Sequence, residues 1–171
     1  MPNSLYIGRF QPFHFGHLSV VKKIIAKGEF LIIGIGSSEE NFLPENPFTA
    51  SERWQMITEA LDAEKISREK YTIIPVRNIN NYALWVQHIS LILPPFKKVY
   101  TGSKIVRELF KKDGRYEICD VEFQHEISAT KVRELMKKGD KKWEKLLPQT
   151  VCRFLKKIHY CILSRIVGVT P

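Results

Sequence analysis

The chain opens its hydrophobic pattern with Ser4-Leu5-Tyr6-Ile7-Gly8, a short apolar run suited to a buried parallel strand, ending on a glycine where the backbone must turn. The period then changes. Leu18, Val21, Ile24 and Ile25 recur at helical spacing, with Lys22, Lys23 and Lys27 on the other side, which predicts a helix packed by one face on the sheet. Phe30-Leu31-Ile32-Ile33-Gly34-Ile35-Gly36 is uninterrupted, as in a strand covered on both faces, and completes a βαβ unit with parallel strands and a right-handed crossover.

Polar residues and prolines from Ser38 to Phe48 predict a loop. Thr49-x-x-Glu52 is a capping box opening a helix through about Leu61, with Trp54, Ile57 and Leu61 as its expected inner face. Tyr71–Val76 reads as a strand, Arg77–Asn81 as a loop, and Tyr82–Leu93 as a helix stopped by Pro94-Pro95. Lys98–Gly102 reads as the next parallel strand, and Ser103 starts a helix carrying Ile105, Val106, Leu109 and Phe110. Tyr116–Cys119, with Val121 and Phe123 beyond a break at Asp120, has the alternation of an outer strand. Ser128 is an N-cap for a helix with a Val132, Leu135, Met136 stripe, ended by Gly139. Two closing helices follow, packed through Trp143, Leu146, Val151 and Leu155. The apolar tail from Tyr160 to Val167 leaves three uses open: packing on the domain, pairing with another subunit, or mobility. Together these elements predict an α/β fold, an open parallel sheet with helices on both faces and a C-terminal helical segment.

Composition adds bounds. With 171 residues the chain is most economically one domain, 1–171, with a core over about 1–126 and a helical part over about 127–171. No apolar run approaches the ~20 residues of a membrane span and no signal-peptide pattern opens the chain, so a cytoplasmic location is expected. The net charge of +9 could suggest a nucleic-acid partner, but it is localised: from Lys131 onward 11 Lys and Arg face 3 Asp and Glu. No interleaved stacking aromatics accompany this run. It reads as solvated helix faces, or as a field attracting anionic substrates, and nucleic acid is not the expected partner. The three cysteines, Cys119, Cys152 and Cys161, lack C-x-x-C spacing and read as reduced thiols, neither a disulfide framework nor a zinc site.

Candidate chemistry lies between the first strand and the first helix. His14-Phe15-Gly16-His17 sits at a strand end and a helix N-terminus, where free backbone N–H groups and the helix dipole favour a phosphate. Two imidazoles flanking this point suit donation to one anion, and Gly16 lets phosphate oxygens approach the backbone. A second candidate is Ile127-Ser128-Ala129-Thr130-Lys131-Val132-Arg133, which offers two hydroxyls, a helix start and Arg133 about a turn later. Taken alone, this second stretch reads equally as a capped surface helix. Trp85, in the first turn of its helix, is core or ligand platform. A cationic ring suits an indole through dispersion and cation–π attraction. Arg53 has two readings, an exposed salt bridge or a substrate contact.

Gly8-Arg9-Phe10-Gln11-Pro12-Phe13-His14-Phe15-Gly16-His17, Asn46-Pro47-Phe48-Thr49-Ala50-Ser51-Glu52-Arg53, Ala83-Leu84-Trp85-Val86 and the Ile127–Arg133 motif occur in consistent order over about residues 1 to 158. In this the chain resembles the H-x-G-H nucleotidylyltransferases, and within them the archaeal-type nicotinamide-nucleotide adenylyltransferases. The resemblance implies a Rossmann-like fold, a homo-oligomer, and adenylyl transfer from ATP to nicotinamide mononucleotide with Mg²⁺ held mainly by the ATP phosphates and no dedicated metal ligands. It implies His14, His17 and Arg133 as catalytic residues. It implies ATP contacts from Arg9, Phe10, Gln11, Gly16, Gly102, Ile127, Ser128, Thr130 and Arg133, and acceptor contacts from Trp85, Asn78, Phe48 and Arg53. Asn78 stands where the family often has an acidic residue, so it brings hydrogen bonds without negative charge. Two other functions stay open on these residues: transfer to another phosphorylated acceptor, such as flavin mononucleotide or phosphopantetheine, and a non-catalytic nucleotide-binding module.

Overall fold

The computed structural model describes residues 3–121 and 127–168, the side chains of 159–161 excepted. The chain falls into two compact units. One comprises Met1–Gly8, Val20–Ser38 and Ser67–Glu122, the other Arg9–Ser19, Glu39–Ile66 and Phe123–Pro171.

The first unit holds the sheet. Strands β1 (Ser4–Gly8), β2 (Leu31–Ile35), β3 (Tyr71–Pro75), β4 (Lys98–Tyr100) and β5 (Glu117–Cys119) form one sheet in the order β3-β2-β1-β4-β5. All four pairings are parallel, with Ser4 opposite Leu31 and Lys98, Leu31 opposite Tyr71, and Lys98 opposite Glu117. Every residue of β2 is buried, which its unbroken apolar run requires. Gly34 in this strand is held by space: a Cβ there would meet Ile7 Cγ1 at 3.3 Å. The expected outer strand at 116–119 is the sheet's β5 edge, ending at Cys119, and Phe123 lies outside the described residues.

Alternation along the strands sends Leu5, Ile7, Ile32 and Val99 to one face. There they pack with Val86, Ile89 and Leu93 around helix α3 (Tyr82–Ile92), and with Phe110 of helix α4 (Lys104–Asp113). Phe96 and Trp85 meet Phe110 edge-on at ring-centroid separations of 6.1 and 5.8 Å, geometry that adds about 1 kcal/mol per pair beyond burial. The opposite face carries Tyr6 and Tyr100, paired in register, and Lys27, just past helix α1 (Phe15–Ala26), reaches the Tyr100 hydroxyl at 3.3 Å. The result is a Rossmann-like α/β fold: a parallel sheet with helices around it. Strand order reverses between β1 and β4. Ligands of open α/β sheets sit outside the strand ends at such a point, where Gly8 and Thr101-Gly102 lie.

The second unit is helical. It contains the first turn of α1, then α2 (Ala50–Ala63), α5 (Ala129–Lys137), a 3₁₀ turn (Lys141–Leu146), α6 (Gln149–Lys157) and α7 (His159–Val167). Thr49 caps α2 as its sequence predicts, with both bonds of the capping box formed. The buried face of α2 differs from expectation. Arg53, Met56, Ile57, Ala60 and Leu61 are inside and Trp54 is 44% exposed, because the buried stripe runs through 53, 57 and 61 and Trp54 lies a residue off it. Gly139, with φ at 67°, takes the left-handed conformation just past α5. The tail is the helix α7, packed on α5 and α6 through Ile162 and Ile166. Among the described residues no helix is long and apolar enough to cross a membrane.

Candidate active site in the helical unit

The chain leaves β1 at Gly8 and enters the histidine motif with Phe10 at φ 53°, a conformation costing a non-glycine residue about 1–2 kcal/mol. Burial holds it there. The Phe10 ring is 1% exposed and packs on Phe13 and edge-on against His17, with centroids 5.9 and 4.9 Å away.

His14 and His17 stack at 3.5 Å between centroids, 20° from parallel, and Phe13 stacks on His17 at 5.6 Å. Each ring receives a backbone proton. His14 N–H donates to His17 Nδ1 at 3.2 Å and His17 N–H to His14 Nδ1 at 3.3 Å. An Nδ1 that accepts places the ring proton on Nε2, so this reciprocal pair is set as two Nε2–H donors. Burial lowers His14 to a pKa of about 4, and burial followed by the neighbouring His14 charge holds His17 well below the ordinary range. Both rings are neutral at pH 7.

Gln11 is 1% exposed and spends its side chain on one peptide, donating through Nε2 to Phe48 O at 3.0 Å and accepting from Phe48 N–H at 2.9 Å. Its backbone carbonyl accepts from Arg133 Nη1 at 2.8 Å. That bond joins the two motifs, although 122 residues separate them. Arg133 Nη2 also faces Thr130 Oγ1 at 3.4 Å, and Ser128 Oγ caps α5 by accepting from Lys131 N–H at 3.1 Å. Ser128 and Thr130 are exposed, whereas Arg133 is only 8% exposed. Burial, then the charge of Arg9, lowers the Arg133 pKa, and it stays a cation.

Arg9 is exposed and donates to Asn46 Oδ1 at 3.3 Å. Arg53 resolves its two readings toward neither surface use. It is fully buried, bonded through Nη1 to Arg9 O at 3.1 Å and through Nε to Thr49 O at 3.2 Å. Burial, the largest cause, lowers its pKa to about 10, which leaves it charged. Phe48 is likewise buried, and what it offers is its clamped backbone. Gly16 lies in the first turn of α1 and Ile127 precedes the Ser128 cap.

Three expected residues belong to the sheet unit. Trp85 is 8% exposed and sits in the aromatic core, so its placement is one of packing. Asn78 Oδ1 accepts from Asn80 N–H at 3.1 Å in the loop after β3, and Gly102 is exposed in the bend after β4. Sequence reading passed over Phe13, the platform under His17, and Arg165, which reaches Pro47 and Glu52. An aromatic three residues before a glycine signalled nothing, and a lone arginine in an apolar tail was the only sign of the other.

The arrangement can bind polyanions: paired neutral N–H donors, a buried cation behind a helix start and an exposed one ahead of it. Among the described residues no group of three or more His, Cys, Asp or Glu could hold a metal ion.

Residues 5–135 match the cytidylyltransferase-like family. A nicotinamide-nucleotide adenylyltransferase of Pyrobaculum aerophilum is 41% identical over 160 residues, 92% of this chain and 89% of that protein. One of the same name from Archaeoglobus fulgidus is 41% identical over 162 residues, 91% of each. Among solved structures, a bifunctional NMN adenylyltransferase/ADP ribose pyrophosphatase of Francisella tularensis, complexed with AMP and a manganese ion, superposes at TM-score 0.75 with 24% identity. It is covered for 52% of its own length and covers 98% of this chain. Similarity at that level speaks for the fold alone. The extended identity with the archaeal enzymes goes further: the chain is a member of the nicotinamide-nucleotide adenylyltransferase family, within the cytidylyltransferase-like group.

Proposed function

We propose that this protein transfers the adenylyl group of ATP to nicotinamide mononucleotide, forming NAD and releasing pyrophosphate. The acceptor's 5′-phosphate attacks the α-phosphorus in line, and the bond to the leaving pyrophosphate breaks. That phosphate is already a nucleophile, so the protein need only position two anions and stabilise charge on the departing one. The observation that carries the reading is the reciprocal His14–His17 pair, tied by Gln11 and Arg133 to the second motif. Neutral Nε2–H donors favour phosphate oxygens without needing a proton from solvent.

In this reading His14, His17 and Arg133 contact the reacting phosphates. Arg9, Phe10, Gln11, Gly16, Ile127, Ser128 and Thr130 shape the ATP site, and Gly102 is assigned to ATP on the resemblance alone. Mg²⁺ fits as an ion carried by ATP, because the described side chains supply cations and N–H donors rather than a carboxylate cage. When bound it neutralises the leaving pyrophosphate. Phe48 and Arg53 build the acceptor wall from behind, one by its backbone and the other by bracing Arg9. Trp85 and Asn78 are assigned to the nicotinamide on the resemblance alone. Exposed Leu84, Leu91, Ile92 and Ile105 in the sheet unit support a homo-oligomer, and a cytoplasmic site follows from the substrates.

The test is pyrophosphate release from ATP and Mg²⁺ with nicotinamide mononucleotide, nicotinic acid mononucleotide, flavin mononucleotide and phosphopantetheine, run beside His17→Ala. Turnover with the nicotinamide compound, falling about 10²- to 10³-fold in the variant, is the expected result. Turnover with another acceptor alone would overturn the substrate, and an unaffected variant would overturn the site.

A further inference from the structure

We infer that Arg165, on the C-terminal helix α7, is a positioning residue for the acceptor: it fixes the Asn46–Arg53 segment on which the acceptor wall is built. The inference rests on the reading of that segment given above. Arg165 Nη1 donates to Pro47 O at 3.3 Å and to Glu52 Oε1 and Oε2 at 2.9 and 3.0 Å. Its guanidinium carbon lies 4.3 Å from the centroid of the Phe42 ring, a cation–π contact. The ion pair is mostly removed from solvent, with side-chain exposures of 18% and 19%.

These contacts lead to the chemistry in few steps. Glu52, the third residue of α2, closes its capping box by accepting from Thr49 N–H at 2.8 Å, so Arg165 holds the carboxylate that holds the loop end. Between Pro47 and Thr49 lies Phe48, whose peptide is gripped by Gln11, and the Gln11 carbonyl receives Arg133. Arg165 thus pins the outer side of a segment whose inner side is pinned by the histidine motif. Helix α7 in turn is set by Ile162 and Ile166, both buried. A tail that needed only to cover apolar surface has no use for a charge at this point.

Steady-state kinetics on the full chain, with each substrate varied in turn, test this with Arg165→Ala, Arg165→Gln and Arg165→Lys beside thermal melts. The expected result is a KM for nicotinamide mononucleotide raised roughly five- to twentyfold in the Ala and Gln variants, with kcat and the KM for ATP within about twofold. The Lys variant should recover most of the loss, because all three polar contacts come from one nitrogen and an ammonium offers three donors. If Tm or the active fraction falls while both KM values hold, Arg165 merely fastens the helix and the inference is overturned, with the acceptor wall untouched. A shift in the ATP KM alone would overturn the assignment of the 46–53 segment to the acceptor. Should the Ala variant not fold, the Gln and Lys pair decides the matter by the same KM comparison.

Discussion

His14 makes the fold sensitive to acid. Its folded pKa of about 4 lies below the ~6.5 of an exposed histidine, so the unfolded chain binds the proton more tightly and stability is lost as pH falls from about 6.5 to 4. Above that window the contribution is complete. A gap of this size is worth on the order of 3 kcal/mol, and His14→Asn should flatten the acid limb of a Tm-against-pH curve measured by calorimetry. Gln11 gives a second residue-scale expectation. Gln11→Glu sets a carboxylate against the Phe48 carbonyl in a buried place, and the loss should exceed about 3 kcal/mol in urea denaturation while Gln11→Ala costs less. The place of these residues between the first strand and the first helix was legible in sequence because a short motif holds them. The burial of Arg53 was not: its partner carbonyls belong to Arg9 and Thr49, and only the first is far away in the chain, at a distance no local pattern encodes.

Among elements, strand β2 was readable from its apolar run alone, since burial on both sides leaves no polar position to confuse the period; β1 opens on Ser4, and β3 is a partly buried edge strand that includes Thr72. The caps at Thr49, Ser103 and Ser128 were plain, each side chain accepting from the backbone N–H three residues on. The face of α2 was harder. An arginine inside and a tryptophan outside inverts ordinary preference, and what reverses it is a pair of carbonyl acceptors for the guanidinium. Thr49→Ala removes one half of a double cap and should cost about 1–2 kcal/mol by calorimetry. Because the same cap sets Glu52, it should also weaken nicotinamide mononucleotide binding more than ATP binding.

For the whole molecule, the helical unit draws on three stretches that the sequence keeps apart, and a linear reading had no means to group them. The charge, by contrast, was legible from a count. Lys137, Lys138, Lys141, Lys142, Lys145, Arg153, Lys156 and Lys157 are exposed, so the excess lies in solvent within the unit that carries both candidate motifs. Such a field acts on arriving polyanions and is screened by salt over about 10 Å at 0.1 M. Raising sodium chloride from roughly 0.05 to 0.5 M should therefore raise the KM for ATP several-fold with little change in kcat.

The reciprocal bonds between the stacked rings have one more consequence. Imidazole is a common ligand of zinc and copper, which bind through an unprotonated ring nitrogen. Here one nitrogen of each ring is occupied by a backbone proton and the other bears its own. A transition metal could enter only by displacing a backbone N–H from Nδ1 or by moving the proton off Nε2, so the hydrogen bonds that order the pair also guard both rings against trace metals.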